Sequence, residues 1–138
     1  MRSLDGNDLL SSFRGRGPVR TAEIERFRAE TGVDLPRDYV EFLRRSDGGE
    51  GLVGPNAYVI LWQLSELAEL NNAYQVEEYA PGLLIFGSNG GGDAYAFDTL
   101  ASGMPIVSVP FVGMERSLVR TLAPSFNDFL TVLSRLND

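Results

Sequence analysis

The sequence contains no cysteine, no histidine and no lysine. Without cysteine, disulfides and thiolate metal sites are excluded. Without histidine, Ser-His and Cys-His nucleophile systems and histidine-based zinc sites are excluded. The absence of lysine removes Schiff-base chemistry. Carboxylates, Arg, Tyr, Ser and Thr remain for catalysis, and no pair of acids is singled out by its pattern, so we expect no enzyme, no cofactor and no metal site.

Long apolar runs are also missing. No run approaches the roughly 18 residues that a membrane span needs. The N-terminus carries Asp5 and Asp8 and lacks the apolar segment of a signal peptide. We therefore expect a cytoplasmic protein with no membrane partner. A chain of 138 residues with 43% apolar content suits one globular domain with its own core.

Basic residues are absent from the middle of the chain. The net charge is −7, and residues 47–115 contain nine acids and no base. An acidic protein repels nucleic acid, so we expect no nucleic-acid partner, whereas a basic protein would be attracted. Net negative charge also keeps a protein soluble, and each acid alone could be an ordinary solvated charge. The candidate contact residues are Asp47, Glu50, Glu66, Glu69, Glu77 and Glu78.

Glycine is concentrated in the stretch around which we expect the rest of the chain to be organised. Residues 83–87 form a short apolar run typical of a strand buried on both faces. Residues 93–98 alternate in the manner of a second strand. The pattern predicts an antiparallel hairpin with positive φ at Gly91 or Gly92. The predicted turn residues are Gly87, Asn89, Gly90, Gly91, Gly92 and Asp93.

The spacing of Gly87 and Gly92 also matches the glycines of a phosphate-binding P-loop. However, Asp93 occupies the position of the phosphate-binding lysine. The pattern after the loop is that of a strand, so no helix N-terminus is available to hold an anion. We therefore interpret this segment as a turn without a catalytic task.

Helical patterns occupy four other parts of the chain. The first covers residues 22–31, with Thr21 as its cap and Gly32 as its stop. The second begins at Leu35-Pro36, with Pro36 at the first helical position, and the third begins near Ser65, with Leu67, Leu70 and Tyr74 inward. The last begins with a capping box of Ser125 and Asp128, and its apolar stripe comprises Phe126, Phe129, Leu130, Leu133 and Leu136.

Strand patterns alternate with these helices. Residues 58–62 and 105–109 are rich in β-branched and aromatic side chains. Glycines indicate a linker at residues 14–18 and a loop at residues 50–56. Residues 111–122 have no clear pattern beyond one short strand near Leu118. A short N-terminal turn is predicted from Asn7, Leu9, Leu10 and Phe13.

This order of elements predicts an α+β fold: a central, mostly antiparallel sheet with a glycine-rich hairpin and helices packed against it. Residues 1–20 are predicted to form an N-terminal extension and linker, and residues 21–138 a single domain. Trp62 is assigned to the core, although it could instead anchor a partner. The predicted core residues are Phe27, Tyr39, Phe42, Trp62, Ile85, Phe97, Phe129 and Leu133.

One set of residues occurs in a fixed order along the chain: Leu35-Pro36, Tyr39, Phe42-Leu43, Asp47-Gly48-Gly49, Ile85, Gly87, Gly90-Gly91-Gly92-Asp93, Tyr95, Phe97-Asp98, Phe126, Phe129 and Leu130. In these residues and their order, the chain resembles the SUKH superfamily, the Smi/Knr-type family of cell-wall regulators and toxin-immunity proteins, over roughly residues 21–136. One departure is Ser46-Asp47, where the family often has Asn, although Asp supports a turn almost as well.

The resemblance implies an α+β domain that binds protein and carries out no catalysis. Many bacterial members look like immunity proteins that neutralise a secreted toxin, often a nuclease, and fungal relatives look like regulatory scaffolds of cell-wall synthesis. A third alternative is a small-ligand, metal-binding or carboxylate-based enzyme domain that uses Asn89, Asp93 and Asp98. The sequence lacks the D-x-[DN]-x-[DN]-G loop of a common calcium site.

Overall fold

The computed structural model describes residue 10 and residues 12–136. In this part of the chain, an antiparallel sheet contains seven strands that lie side by side in chain order. The strands are β1 (Ser12–Gly15), β2 (Gly49–Val53), β3 (Ala57–Leu61), β4 (Leu83–Ser88), β5 (Asp93–Asp98), β6 (Ile106–Pro110) and β7 (Arg120–Ala123). The helices are α1 (Thr21–Thr31), α2 (Arg37–Leu43), α3 (Leu64–Ala73), α4 (Val76–Tyr79) and α5 (Phe126–Ser134), with a 3₁₀ helix at Arg116–Leu118. The predicted α+β fold is confirmed.

The central hairpin is formed by β4 and β5, as predicted, and every residue of β4 is buried. The side-chain amide of Asn89 closes the turn, because its Oδ1 accepts from the N–H groups of Gly91 at 2.8 Å and Asp93 at 3.2 Å. The predicted position of the positive φ is wrong: it occurs at Gly90, with φ 80°, and at neither Gly91 nor Gly92. Asn89 holds the N–H groups that follow, so the chain reverses directly after it.

The helix boundaries follow local capping. Gly32 ends α1 with φ 75°, as predicted. The prediction that Pro36 is the first helical residue is off by one residue, because Pro36 is the N-cap and α2 begins at Arg37. The predicted cap of α3 at Ser65 is wrong, since the helix begins at Leu64 and the carboxylate of Glu66 accepts from the Gln63 N–H at 3.0 Å. In both helices the sequence indicated the right turn but not the capping residue.

Arg20, not Thr21, is the N-cap of α1, and its N–H donates to the carboxylate of Glu23 at 2.8 Å. At the start of α5, Ser125 Oγ accepts from the Asp128 N–H at 3.1 Å, which is the predicted cap. The last residue of its predicted stripe, Leu136, lies beyond the helix and is exposed.

Two segments predicted as linker and loop are strands. Arg14 and Gly15 belong to β1, and Glu50–Val53 belongs to β2, with Arg14 opposite Glu50. The glycines that indicated a loop instead permit close strand pairing: a Cβ on Gly49 would lie 2.4 Å from the Arg14 carbonyl oxygen, and one on Gly51 equally close to that of Ser12. Glycine therefore marks a tight strand contact in this part of the chain.

The predictions for the N-terminal segment and for residues 111–122 differ from the structure in their details. Phe13, predicted in a short turn, lies in β1, while Asn7 and Leu9 lie outside the described residues. Leu10 packs against the core. The short strand expected near Leu118 begins instead at Arg120, because Leu118 ends the 3₁₀ helix.

The two faces of the sheet carry separate apolar cores. We call the face that bears Leu84, Phe86, Tyr95 and Phe97 the first face; α1, α2, α3 and α5 pack on it. The opposite, second face bears smaller side chains and is covered by α4 and by the segment around Met114. Its core residues are Val76, Ala80, Leu83, Ile85, Ala94, Ala96, Val107, Val109 and Met114.

The predicted core is confirmed at every position except Trp62. Phe27, Tyr39, Phe42, Ile85, Phe97, Phe129 and Leu133 are buried. Trp62 is half-buried and packs against both cores. Trp62 thus lies where the two cores meet and keeps part of its ring accessible. Tyr74, predicted to face inward on α3, is 44% exposed.

Candidate partner-binding surface

In the part of the chain that the structure describes, the second face is covered over only part of its width. Val76 and Ala80 of α4, together with Met114, pack on strands β4 to β6. On β3, Val59 and Leu61 point into the first-face core, so Tyr58 and Ile60 lie on the second face. Tyr58 is 42% exposed. Strands β1 to β3 therefore present an open half of the second face.

Two of the predicted contact acids support the start of α3. Asp47 Oδ1 accepts from the Leu64 N–H at 2.7 Å, and Glu66 accepts from the Gln63 N–H at 3.0 Å. Carboxylates are favourable at a helix N-terminus because they satisfy its unpaired N–H groups. A contact with a partner would compete with these bonds at Asp47 and Glu66.

Glu50 lies on the open half of the second face. Its carboxylate accepts a hydrogen bond from the Tyr58 hydroxyl, and this bond raises the pKa of Tyr58 above its usual value. A depression of about 480 Å³ surrounds the pair and is also lined by Arg14 and Arg16. Glu50 thus lies among two arginines, in a mixed-charge environment.

The remaining three acids lie on two consecutive helices. Glu69 is exposed on α3, and Glu77 and Glu78 are exposed on α4. Gln75 separates the two helices with φ 57°. We call these three exposed carboxylates the α3–α4 acids.

The hairpin residues serve the turn and the strand pairing. A Cβ on Gly87 would lie 2.4 Å from the Ile60 carbonyl oxygen, so this glycine allows β3 to approach β4 closely. Asn89 and Gly90 form the turn described above. Gly91, Gly92 and Asp93 lie exposed at its tip. In the described part of the chain, no three Asp or Glu residues are grouped so that they could hold a metal ion.

The three polar residues proposed for a ligand site at the hairpin do not come together. Asp93 and Asp98 occupy opposite ends of β5, about 16 Å apart at the rise of a strand. The Asp98 carboxylate is instead bound by Arg116, with Nη2 to Oδ2 at 2.9 Å and Nη1 to Oδ1 at 3.1 Å. Asn89 is engaged by the turn.

The Asp98–Arg116 pair fixes the cover of the second face, and the sequence analysis missed it. Arg116 Nη1 also donates to the Pro81 carbonyl oxygen at 3.0 Å. Bidentate Arg–carboxylate pairs are both strong and directional. A weak signal was available, since Arg116 is the first base after the base-free segment.

Asn71 is a second polar residue that the sequence analysis missed. Its side chain binds both backbone groups of Ile85: Nδ2 donates to the carbonyl oxygen and Oδ1 accepts from the N–H, each at 2.8 Å. The amide thereby supplies the pairing that a neighbouring strand would give to this part of β4. Asn71 therefore attaches α3 to the sheet.

An aromatic cluster of Trp62, Tyr74 and Phe111 lies at the border between the covered and the open parts of the second face. The ring centroids of Tyr74 and Phe111 are 4.8 Å apart, and those of Trp62 and Tyr74 are 6.2 Å apart with planes inclined by 9°. Trp62 and Phe111 are 6.5 Å apart. The cluster joins the end of β3, the end of α3 and the segment after β6.

Comparisons with known proteins agree with this fold. In the described residues, no helix is both long and apolar enough to cross a membrane. No curated protein sequence matches the chain closely enough to count as a relative. A family model does match: that of the SMI1/KNR4 family (SUKH-1), over residues 18–132. Because this match spans most of the 138 residues, the chain belongs to the SMI1/KNR4 (SUKH-1) family.

Proposed function

We propose that this protein is a non-catalytic protein-binding domain that acts as an immunity protein and neutralises a basic toxin domain. The observation that carries the proposal is the charge of residues 47–115, where nine acids occur with no base. The α3–α4 acids are its exposed helical part. Membership of the family supports a binding role, since the family resemblance implies immunity or regulatory domains.

The chemistry of a nuclease explains why an acidic surface would neutralise it. A nuclease holds its substrate through cationic side chains that contact phosphates. Carboxylates on a folded surface can occupy the same cationic site, and opposite charge also accelerates the encounter. Inhibition by this route needs only occupancy of the site, so the immunity protein needs no reacting group of its own.

The test is surface plasmon resonance against the C-terminal domain of the secreted protein that we expect to be encoded beside this gene. The test variant carries Glu69→Gln, Glu77→Gln and Glu78→Gln. At low salt its association rate should fall about tenfold, because steering charges commonly change on-rates by that order. At high salt the wild-type rate should fall towards that of the variant, because screening removes steering.

The matched control carries Glu25→Gln, Glu30→Gln and Glu41→Gln. These residues are also exposed, and their replacement changes the net charge equally, but they lie on α1 and α2, outside the base-free segment 47–115. We expect the control to keep its association rate within about twofold. Absence of binding by the wild type would contradict the immunity role, and a partner from a cell-wall operon would favour the regulatory scaffold instead.

A further inference from the structure

The aromatic cluster of Trp62, Tyr74 and Phe111 lies beside the two cores and is only partly buried. We propose that it is the binding site for an arginine side chain of the protein partner. The inference rests on the proposed function, because it takes the partner to be a basic protein. It adds the position of the anchor and the chemical group that is bound.

The geometry of the rings suits a cation. The face of an aromatic ring carries partial negative charge, and a cation within about 6 Å of the centroid is attracted to it. The three centroids lie 4.8 to 6.5 Å from one another. A single cation beside the cluster can therefore lie within about 6 Å of more than one centroid. A planar guanidinium can also stack on a ring, which an ammonium group cannot do.

Two rings of the cluster are partly buried against the cores, and the third is exposed. Trp62 packs against both cores, and Phe111 packs against the second-face core. The Phe111 N–H also donates to the Gly92 carbonyl oxygen at 2.9 Å, which connects it to the hairpin. Tyr74 is 44% exposed. A rigid aromatic site with accessible rings loses little conformational freedom on binding, which is typical of interface anchors.

The stretch of chain that carries the cluster is complementary in charge to arginine. All three rings lie within residues 47–115, which contain no base. Tyr74 is the C-cap of α3, and the last turn of this helix has no basic side chain. The C-terminal end of a helix carries partial negative charge and favours a cation. Glu77 and Glu78 follow immediately on α4 and are exposed.

Trp62 is the one tryptophan of the chain, so its fluorescence reports directly on the cluster. The experiment titrates the full protein with octa-arginine, and with the same peptide made of citrulline, which keeps the shape and removes the charge. We expect octa-arginine to change the Trp62 emission and the citrulline peptide to bind at least tenfold more weakly. Equal binding of the two peptides would overturn the inference.

The variants separate the rings from the overall charge. Tyr74→Ala should weaken binding of octa-arginine about fivefold, the order of one cation–π contact, at unchanged net charge. Tyr74→Phe should restore binding to within about twofold. The control is Tyr79→Ala, since Tyr79 is equally exposed on α4 but is not part of the cluster. Wild-type affinity in Tyr74→Ala would contradict the inference.

A parallel titration with the basic toxin domain separates this inference from the proposed function. If that domain binds the wild type and Tyr74→Ala equally well, the cluster does not bind an arginine of the partner, and the immunity role stands. If octa-arginine binding depends on Tyr74 but the toxin domain does not bind, the immunity role is wrong and the cation site stands. Each result therefore decides one of the two claims.

Discussion

The first and second faces of the sheet differ in what covers them. On the first face, the rings of Tyr39, Phe86, Phe97, Phe126 and Phe129 pack against one another with centroid distances of 4.6 to 6.0 Å, and all five are fully buried. On the second face, Ala and Val side chains lie under a short helix and one loop segment.

Because of this difference, we expect one face to determine the stability of the fold and the other to be available for the proposed binding. Large aromatic side chains dominate core energetics because each buries a large apolar area. The first face is therefore the source of most of the folding free energy. The second face is only partly covered, and its exposed aromatic rings can be removed at little cost in stability. A partner that docks on this side does not have to disturb the main core.

The largest expected effect comes from Phe129→Ala. Removing a fully buried ring from the first face should lower the free energy of unfolding by about 3–5 kcal/mol. Tyr74→Ala, at the second-face cluster, should cost less than about 1 kcal/mol, because the ring is partly exposed already. Chemical denaturation measures both. A loss below about 1 kcal/mol for Phe129→Ala would mean that the two faces do not differ as described.

The next effect concerns the cover of the second face. Arg116→Ala should lower the free energy of unfolding by about 1–3 kcal/mol, because it leaves the buried Asp98 carboxylate without its charged partner. Arg116 is itself partly exposed, which places the loss below that of a fully buried pair. Amide hydrogen exchange should also show faster opening of residues 111–119. The control Arg120→Ala, an exposed change on β7, should leave exchange of this segment unchanged.

A smaller loss of stability is expected from a change in the turn between β4 and β5. Gly90→Val should cost about 1–2 kcal/mol, because Gly90 has φ 80° and a Cβ there would lie 3.2 Å from the Tyr58 ring. The control is Gly92→Val, where a Cβ meets nothing within 4 Å. It should fall within about 0.5 kcal/mol of the wild type. Equal losses for the two variants would place the strained residue elsewhere in the turn.

The effect that is smallest at neutral pH, where it vanishes, is a pH dependence that arises from the first face. Burial raises the pKa of Tyr39 well above its usual value of 10. The folded protein therefore holds this proton more tightly than the unfolded chain, so stability is complete below about pH 10 and falls as the pH rises. Tyr39→Phe should lose less stability between pH 10 and pH 12.

The chain has no Cys or Lys side chain, so tyrosines are the side chains that titrate between pH 10 and pH 12. Part of the alkaline loss should remain in Tyr39→Phe, since burial also raises the pKa of Tyr95. Urea denaturation at stepped pH measures the difference. An identical alkaline loss in wild type and variant would contradict the buried position of Tyr39.

The first face was predictable because its residues follow local periods. Tyr39 and Phe42 repeat at helical spacing, and Tyr95 and Phe97 alternate along a strand. Each period identifies a buried side without knowledge of the partner element. The first-face core positions predicted in this way were confirmed.

The second face was harder to predict because the polar contact that fixes its cover follows no local period. Asp98 and Arg116 form their pair across 18 positions, and neither lies in a motif. The periodicity of α3 included Tyr74, which is instead the C-cap of this helix, is exposed, and packs on Trp62 and Phe111. Strand β2 was predicted as a loop because it contains Gly49 and Gly51. Glycine is needed there because a Cβ would lie too close to the backbone of β1. The family resemblance was confirmed, but it did not identify the surface that binds a partner.

The measurement that tests the account most directly is hydrogen exchange of the full protein with and without the basic toxin domain. The account predicts protection at Trp62, Phe111 and residues 74–79, with no change in the amides of α1, α2 and α5. Protection of those three helices, with unchanged exchange in the aromatic cluster and α4, would contradict the proposal that the partner binds at the aromatic cluster and the α3–α4 acids.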